Sequence, residues 1–304
     1  MSWQRSALNR WLRLVEKPRL AHATSHDSLR NRLERNARFF FRGPRDVLQH
    51  WRDLGDGAAL WLEPAAADRS RVLLYFHGGA YIFGSPRTHA AMVGVLAKAA
   101  GVRAVLPAYP LAPEHPFPAA VDRAEDAYHA LVAAGVSPEN IVLGGDSAGG
   151  GLVLAVLGRL IGAGADLPAG VFALSPLTDM TFSGASLQAN AARDVMLPAA
   201  RVTEMAAQYL AGAAADDPQV SPLFADFTGA PPVWLTVGDT EILLDDTRRI
   251  AAHVRTQGVS VQMHIAGDLP HVWPMFHNTL PEARATLGEL AGWIRSRWVA
   301  APGS

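Results

Sequence analysis

Ile141-Val142-Leu143-Gly144-Gly145-Asp146-Ser147-Ala148-Gly149-Gly150-Gly151 is the stretch on which the reading of this chain turns. Its first residues are β-branched and apolar, as in a short buried strand, and the run Gly149–Ile161 that follows is apolar enough for a buried helix. Between them Gly145–Gly149 spells Gly-x-Ser-x-Gly. On a sharp strand-to-helix turn this pattern holds the serine in a strained backbone conformation, so its hydroxyl stands clear of the sheet. Glycines flank it because side chains there would clash as strand and helix draw together. A glycine turn in which Ser147 merely caps the helix is the alternative. The order strand, turn, helix favours a nucleophile. A phosphate loop fits poorly, since no Lys follows the glycines and Gly-x-Gly-x-x-Gly does not match the junction.

Outward from this elbow the chain alternates short β-rich runs with longer Ala/Leu-rich ones. Strands are expected at Asp46–Arg52, Ala58–Leu62, Arg71–Phe76, Val102–Leu106, Ile141–Gly144, Val171–Ser175, Val233–Val237 and Val259–Ile265. Val72–Phe76 is apolar on both faces, as in a central parallel strand. Val259, Val261, Met263 and Ile265 alternate with polar residues, which suggests an edge. Helices are expected at His89–Ala100, around Ala124, Ala127, Tyr128 and Leu131, and at Leu243–Val254. The alternation predicts βαβ units, a mostly parallel sheet with helices on both faces, and a site at the carboxyl ends of the strands.

Two segments depart from the rhythm. Residues 1–42 are rich in Arg and aromatics, with Trp3, Ala7, Trp11 and Leu14 at helical spacing, and Leu29, Leu33, Ala37 and Phe40 or Phe41 likewise. A surface-seeking helix and a pair of covering helices both fit; Glu16, Asp27 and Glu34 interrupt the basic face and favour the covering pair. Between Ser175 and Val233 roughly sixty residues carry no clear strand, an interval long enough for a lid. Within it Pro198–Ala213 reads as helical. The expected organisation is N-terminal cap helices at 1–44, a catalytic domain at 45–180 and 221–304, and a cap insertion at 181–220.

Composition narrows the function. Apolar residues are 49% and charged residues 18% of the 304, enough for a large core. The formal charge of −1 gives no overall reason to expect nucleic acid or an anionic membrane as a partner. With no cysteine there is no disulfide, no thiolate metal site and no Cys nucleophile. No run of 18 apolar residues occurs, so no membrane span is expected, and without a secretory h-region a cytoplasmic location is the default.

His77-Gly78-Gly79-Ala80-Tyr81 follows the apolar strand. Glycines here let backbone N–H groups point at developing negative charge and, with the N–H of Ala148, form an oxyanion hole. His77 is read as holding the loop in shape. A base must follow the serine in chain order, on a loop after a late strand. His253 falls within a helix and His264 within a strand, whereas His271 lies just beyond the last strand in Ala266-Gly267-Asp268-Leu269-Pro270-His271. The acid belongs after Val233–Val237, where Asp239 and Glu241 are both candidates.

These residues together resemble the bacterial hormone-sensitive-lipase-like esterases, a branch of the α/β-hydrolase superfamily. The match rests on His77–Tyr81, on Tyr109-Pro110-Leu111-Ala112-Pro113-Glu114-His115-Pro116-Phe117-Pro118-Ala119-Ala120, on Gly145–Gly149 and on Ser175-Pro176-Leu177-Thr178-Asp179, and runs from about residue 45 to the end. The resemblance implies an eight-stranded, mostly parallel sheet flanked by helices, with a helical cap. It places the acid on Glu241, because Glu241-Ile242-Leu243-Leu244-Asp245-Asp246 aligns with a motif that usually begins with Asp. It implies Gly79, Ala80 and Ala148 as oxyanion donors with Gly78 supporting the turn; Ala80 stands where a third glycine is usual.

The expectation is ester hydrolysis through an acyl-enzyme on Ser147, with His271 as base, Glu241 (or Asp239) orienting it, and no metal or cofactor. The apolar insert suits short-to-medium acyl esters or lactones, a small-molecule substrate, with little reason for activation at a lipid interface. Pocket candidates are Tyr81, Asp146, Met205, Tyr209 and Leu243. An amide or thioester hydrolase would use the same groups. A ligand receptor on this fold would typically lack the base that His271 supplies. A homodimer through the last strand is a further expectation.

Overall fold

The computed structural model of the chain describes residues 2–23 and 25–298. Eight strands form one sheet: β1 (Val47–Leu54), β2 (Gly57–Pro64), β3 (Asp68–Phe76), β4 (Val102–Pro107), β5 (Ile141–Asp146), β6 (Gly170–Leu174), β7 (Val233–Gly238) and β8 (Val261–Ala266). Their spatial order is β1-β2-β4-β3-β5-β6-β7-β8. β2 pairs antiparallel with β1 and with β4; every other pairing is parallel. The sequence reading places all eight, with ends shifted by up to three residues.

The helices are α1 (Trp3–Trp11), which runs through a π-helical turn (Leu12–Glu16) into α2 (Lys17–Ala21), then α3 (His26–Phe40), α4 (Pro86–Ala100), α5 (Ala119–Ala133), α6 (Ala148–Gly162), α7 (Ser186–Ala189), α8 (Ala199–Leu210), α9 (Leu244–Thr256) and α10 (Pro281–Ser296). The two-residue period of the strands sorts the core into two layers. Val72, Leu74 and Phe76 point toward α5, α6 and α9, packing with Ala124, Leu152 and Ile250. Leu73 and Tyr75 point toward α4 and α10, packing with Leu96 and Leu290. All five residues of Val72–Phe76 are fully buried, which explains why both parities of this strand are apolar.

The N-terminal helices and the insertion carrying α7 and α8 lie over the carboxyl ends of the strands. They are tied by polar latches: Lys17 Nζ donates to the carbonyls of Ala191 (2.7 Å) and Asp194 (2.6 Å), and Arg201 to the carbonyl of Ala23 (2.6 Å). α3 meets the body through Leu29 and Ala37, on the stripe its sequence predicts. α1 does not use its predicted stripe. Its inward face is Arg5, Asn9 and Leu12, while Trp3, Trp11 and Leu14 are exposed. The polar residues win because they meet backbone acceptors: Arg5 donates to the carbonyl of Gly267 (3.0 Å) and Asn9 to that of Asp268 (2.9 Å).

Candidate active site

Ser147 sits between the end of β5 and the first turn of α6, with φ 52° and ψ −121°. A non-glycine residue at positive φ carries strain and persists only where its surroundings enforce it. Here the enforcement is close packing of backbone on backbone. A Cβ at Gly145 would lie 2.2 Å from the Gly149 carbonyl oxygen, and one at Gly149 would lie 2.1 Å from that of Phe76. Only glycine at both positions lets the turn close this tightly.

His271 follows β8 on the loop 267–272 and is 4% exposed. Its Nδ1 lies 2.6 Å from Glu241 Oε2. That carboxylate is held by its other oxygen, which accepts from the Gly238 N–H (2.6 Å) and the Ser175 hydroxyl (2.8 Å). Ser175 Oγ in turn accepts from the Val272 N–H (3.2 Å), so one serine ties the loop bearing the acid to the loop bearing the imidazole. Asp239, the alternative acid, faces away: its Oδ1 accepts from the Asp268 N–H at 2.7 Å. Burial works to lower the His271 pKa, but the charge and hydrogen bond of Glu241, helped by Asp194 and Asp146, outweigh it and raise the imidazole above its usual 6.5. With Nδ1 engaged by Glu241, Nε2 is the nitrogen available to a hydroxyl.

The loop after β3 is fixed from below by Asp146. Its Oδ1 accepts from the Gly78 N–H (3.0 Å) and the Tyr75 hydroxyl (2.7 Å), and lies 3.4 Å from His89 Nε2. Burial would raise the Asp146 pKa, yet the His89 charge and these hydrogen bonds bring it below the carboxylate value. His89 is raised against its own burial chiefly by Asp146. His77 behaves oppositely: burial, reinforced by His89, pushes it to about 3, so its ring is neutral. It bonds the Gly78 carbonyl (2.8 Å) and stacks on Tyr109, 4.3 Å between centroids. The Gly78 N–H is used up by Asp146. Among the described residues no protein acceptor takes the N–H of Gly79, Ala80 or Ala148. Ala80 accepts a left-handed backbone, φ 55°, without a glycine's freedom.

Ser147 and His271 open onto one cavity of about 360 Å³. Gly78, Gly79, Ala80 and Asp146 line it around Ser147, and Leu177, Leu197, Val202, Met205 and Leu243 supply apolar wall. Leu29, Leu33 and Phe40 of α3 and Trp11 and Leu12 close it from the N-terminal segment. Two residues assigned to the pocket from sequence are elsewhere. Tyr81 and Tyr209, the latter on α8 of the insertion, stack ring on ring with centroids 3.8 Å apart, each at most 2% exposed and not on the cavity wall. Their large flat faces are better satisfied by each other than by an open space.

Several residues the sequence reading leaves out hold this arrangement. Besides Ser175 and His89 they include Asn190, whose amide donates to the Glu241 carbonyl (2.8 Å), and Asp194, which accepts the Ile242 N–H (2.9 Å). Both come from the insertion, so the cap positions the acid loop. Arg5 and Asn9 do the same for the loop leading to His271. Only Ser175 and His89 stand in or beside a recognisable motif; the others are long-range partners with no local signature.

The α/β-hydrolase fold family matches residues 73–275. An acetyl-hydrolase of Streptomyces hygroscopicus is 41% identical over 249 residues, 82% of this chain and 81% of its own length. An esterase of Acinetobacter venetianus is 36% identical over 76% of this chain and 77% of its own. Among solved structures, an esterase/lipase from an uncultured bacterium superposes with a TM-score of 0.94 at 37% identity, covering 99% of this chain and 100% of that one. An esterase from the bacterial hormone-sensitive lipase family gives 0.92 at 36%, covering 98% and 99%. On this fold, this site and these relatives, the chain belongs to the α/β-hydrolase family, in its bacterial hormone-sensitive-lipase-like branch of esterases.

Proposed function

We propose that the chain is a carboxylesterase that cleaves short-to-medium acyl esters, lactones included, through an acyl-enzyme on Ser147. The observation that carries this is the His271–Glu241 contact of 2.6 Å beside an elbow serine on the same cavity. His271 takes the proton from Ser147 as the hydroxyl attacks the ester carbonyl, and returns it to the departing alcohol; water then cleaves the acyl-enzyme by the same route. Glu241 fixes the proton on Nδ1 and stabilises the imidazolium. The N–H groups of Gly79, Ala80 and Ala148 hold the oxyanion, each worth about 10²–10³ in rate, while Gly78 supports the loop. Asp146, Met205 and Leu243 border the substrate.

The cavity is near the small end of ligand pockets, which run from about 300 Å³. Its walls are mostly apolar, with Glu16, Arg32 and Arg201 among the exceptions, which supports uncharged acyl chains of modest length. The relatives named acetyl-hydrolase and ethyl acetate hydrolase support a small acyl group. β8 ends the sheet, and no strand pairs with its outer edge among the described residues, which supports a homodimer through that edge. The function is tested with p-nitrophenyl esters of graded acyl length, lactones, and matched amides and thioesters. Ester turnover that declines with longer chains is expected. Amide or thioester turnover exceeding that of the matched ester would overturn the assignment.

A further inference from the structure

The N-terminal segment carries a feature that ester hydrolysis does not use. Trp3 (76%), Leu14 (65%), Phe39 (73%) and Phe40 (62%) are among the most exposed large apolar side chains of the molecule, with Trp11 at 40%. They are not scattered. Trp3, Trp11 and Leu14 lie along the outward side of α1 and the turn after it, and Phe39 and Phe40 end α3. Trp11 and Phe40 also line the cavity that holds Ser147, so this apolar collar borders the cavity. Large apolar side chains left exposed on two segments that meet at one cavity mark an interaction site.

Charge says what it fits. Residues 1–45 hold ten Arg and one Lys against Glu16, Asp27 and Glu34, a formal +8, in a chain whose total is −1. The near-neutral net charge therefore conceals a strongly basic cap on an acidic body. Some of these cations are used internally: Arg5, Lys17, Arg30 and Arg32 reach Asp268, Asp194, Glu114 and Glu16. Arg10, Arg35, Arg38 and Arg42 form no ion pair among the described residues and are exposed beside the collar. Arg35, Arg38 and Phe39 follow one another at helical spacing near the end of α3, and Arg42 lies two residues beyond it.

We infer that this face docks on an anionic lipid surface, with the aromatic and Leu side chains at the headgroup–acyl boundary and the four arginines on the phosphates. The pattern of Trp, Phe and Leu flanked by Arg is that of an interfacial amphipathic segment, not of a span. Docked in this way, the cavity faces the layer where acyl chains are concentrated. The contact delivers substrate and opens no lid, so turnover of a water-soluble ester is unchanged by vesicles.

The test uses the whole chain with vesicles of ether-linked phosphatidylglycerol or ether-linked phosphatidylcholine, which no esterase can cleave at the acyl position. Binding thus reads out independently of the catalytic assignment. Co-sedimentation and a blue shift of Trp fluorescence are expected with phosphatidylglycerol, weak with phosphatidylcholine, and lost in high salt. Each basic residue at such a surface contributes about fivefold in affinity. R35Q/R38Q/R42Q should therefore weaken binding by roughly a hundredfold, and W3S/L14S/F39S should abolish the blue shift. Both variants should keep wild-type activity on a soluble ester. No binding to phosphatidylglycerol, or binding that both variants retain, overturns the inference. So does concentration-dependent self-association that the variants abolish without any vesicle binding, which would assign the face to a second copy of the chain.

Discussion

Changing Glu241 to Gln removes a charge and leaves the shape. Oε1 of the glutamine can still accept from the Gly238 N–H and the Ser175 hydroxyl, the contacts now at 2.6 and 2.8 Å. Its NH₂ then faces His271 Nδ1, which must accept instead of donate. The imidazole proton moves to Nε2, and the nitrogen that should take the Ser147 proton is already protonated. The same tautomer error in other serine hydrolases lowers kcat about 10⁴-fold, or about 5.4 kcal/mol of transition-state stabilisation. Asp239→Asn changes one hydrogen bond to the Asp268 N–H, a contact of about 1 kcal/mol, and should cost no more than about tenfold. Glu241→Asp keeps the charge and should fall between the two. The assay is kcat on p-nitrophenyl butyrate at pH 8, with circular dichroism and thermal unfolding to confirm intact folds. A Glu241→Gln enzyme within tenfold of wild type, or an Asp239→Asn enzyme more impaired than it, refutes the assignment of the acid.

Because Glu241 holds the His271 pKa above 6.5, and only the neutral imidazole serves as base, kcat/KM should decline toward acid with its midpoint above pH 6.5; a midpoint below 6.5 contradicts the pairing. His89 is raised by its partner, so its contribution to stability is complete below pH 6.5 and is lost as pH rises through the folded-state value; Asp146, lowered, keeps its contribution until pH falls below the usual carboxylate value. His89→Gln should therefore lose more stability, on the order of 3 kcal/mol as for other broken buried pairs, near pH 6 than at pH 9, as read by urea unfolding at both. Met205→Trp fills part of the cavity that Ser147 also lines and should move the acyl-length optimum shorter while sparing acetate turnover; an unchanged chain-length profile would remove Met205 from the acyl site.

Much of this architecture was legible because local pattern and global position agree. Val72–Phe76 is apolar at both parities and is buried on both faces; the elbow glycines are needed where two backbones touch. The failures are physical in kind. The sequence analysis assigns no helix to Pro281–Ser296, although Pro281 stands at its start and Ala283, Leu287, Leu290, Ala291 and Ile294 recur at helical spacing. On α1 the apolar stripe suggested the buried face, but Arg5 and Asn9 had backbone carbonyls to reach across the fold, and hydropathy carries no information about such partners. Tyr81 and Tyr209, expected in the pocket, stack on each other instead and leave the cavity wall to others. Asn190 and Asp194 steady the acid loop from about fifty residues away in sequence, a relation that only the folded chain displays.

The most direct test of the account is labelling by a fluorophosphonate, followed by mass spectrometry of the adduct. A single modification on Ser147, absent from Ser147→Ala and slowed by His271→Ala, is the predicted result. An adduct on any other residue, or full labelling of the Ser147→Ala protein, would contradict it.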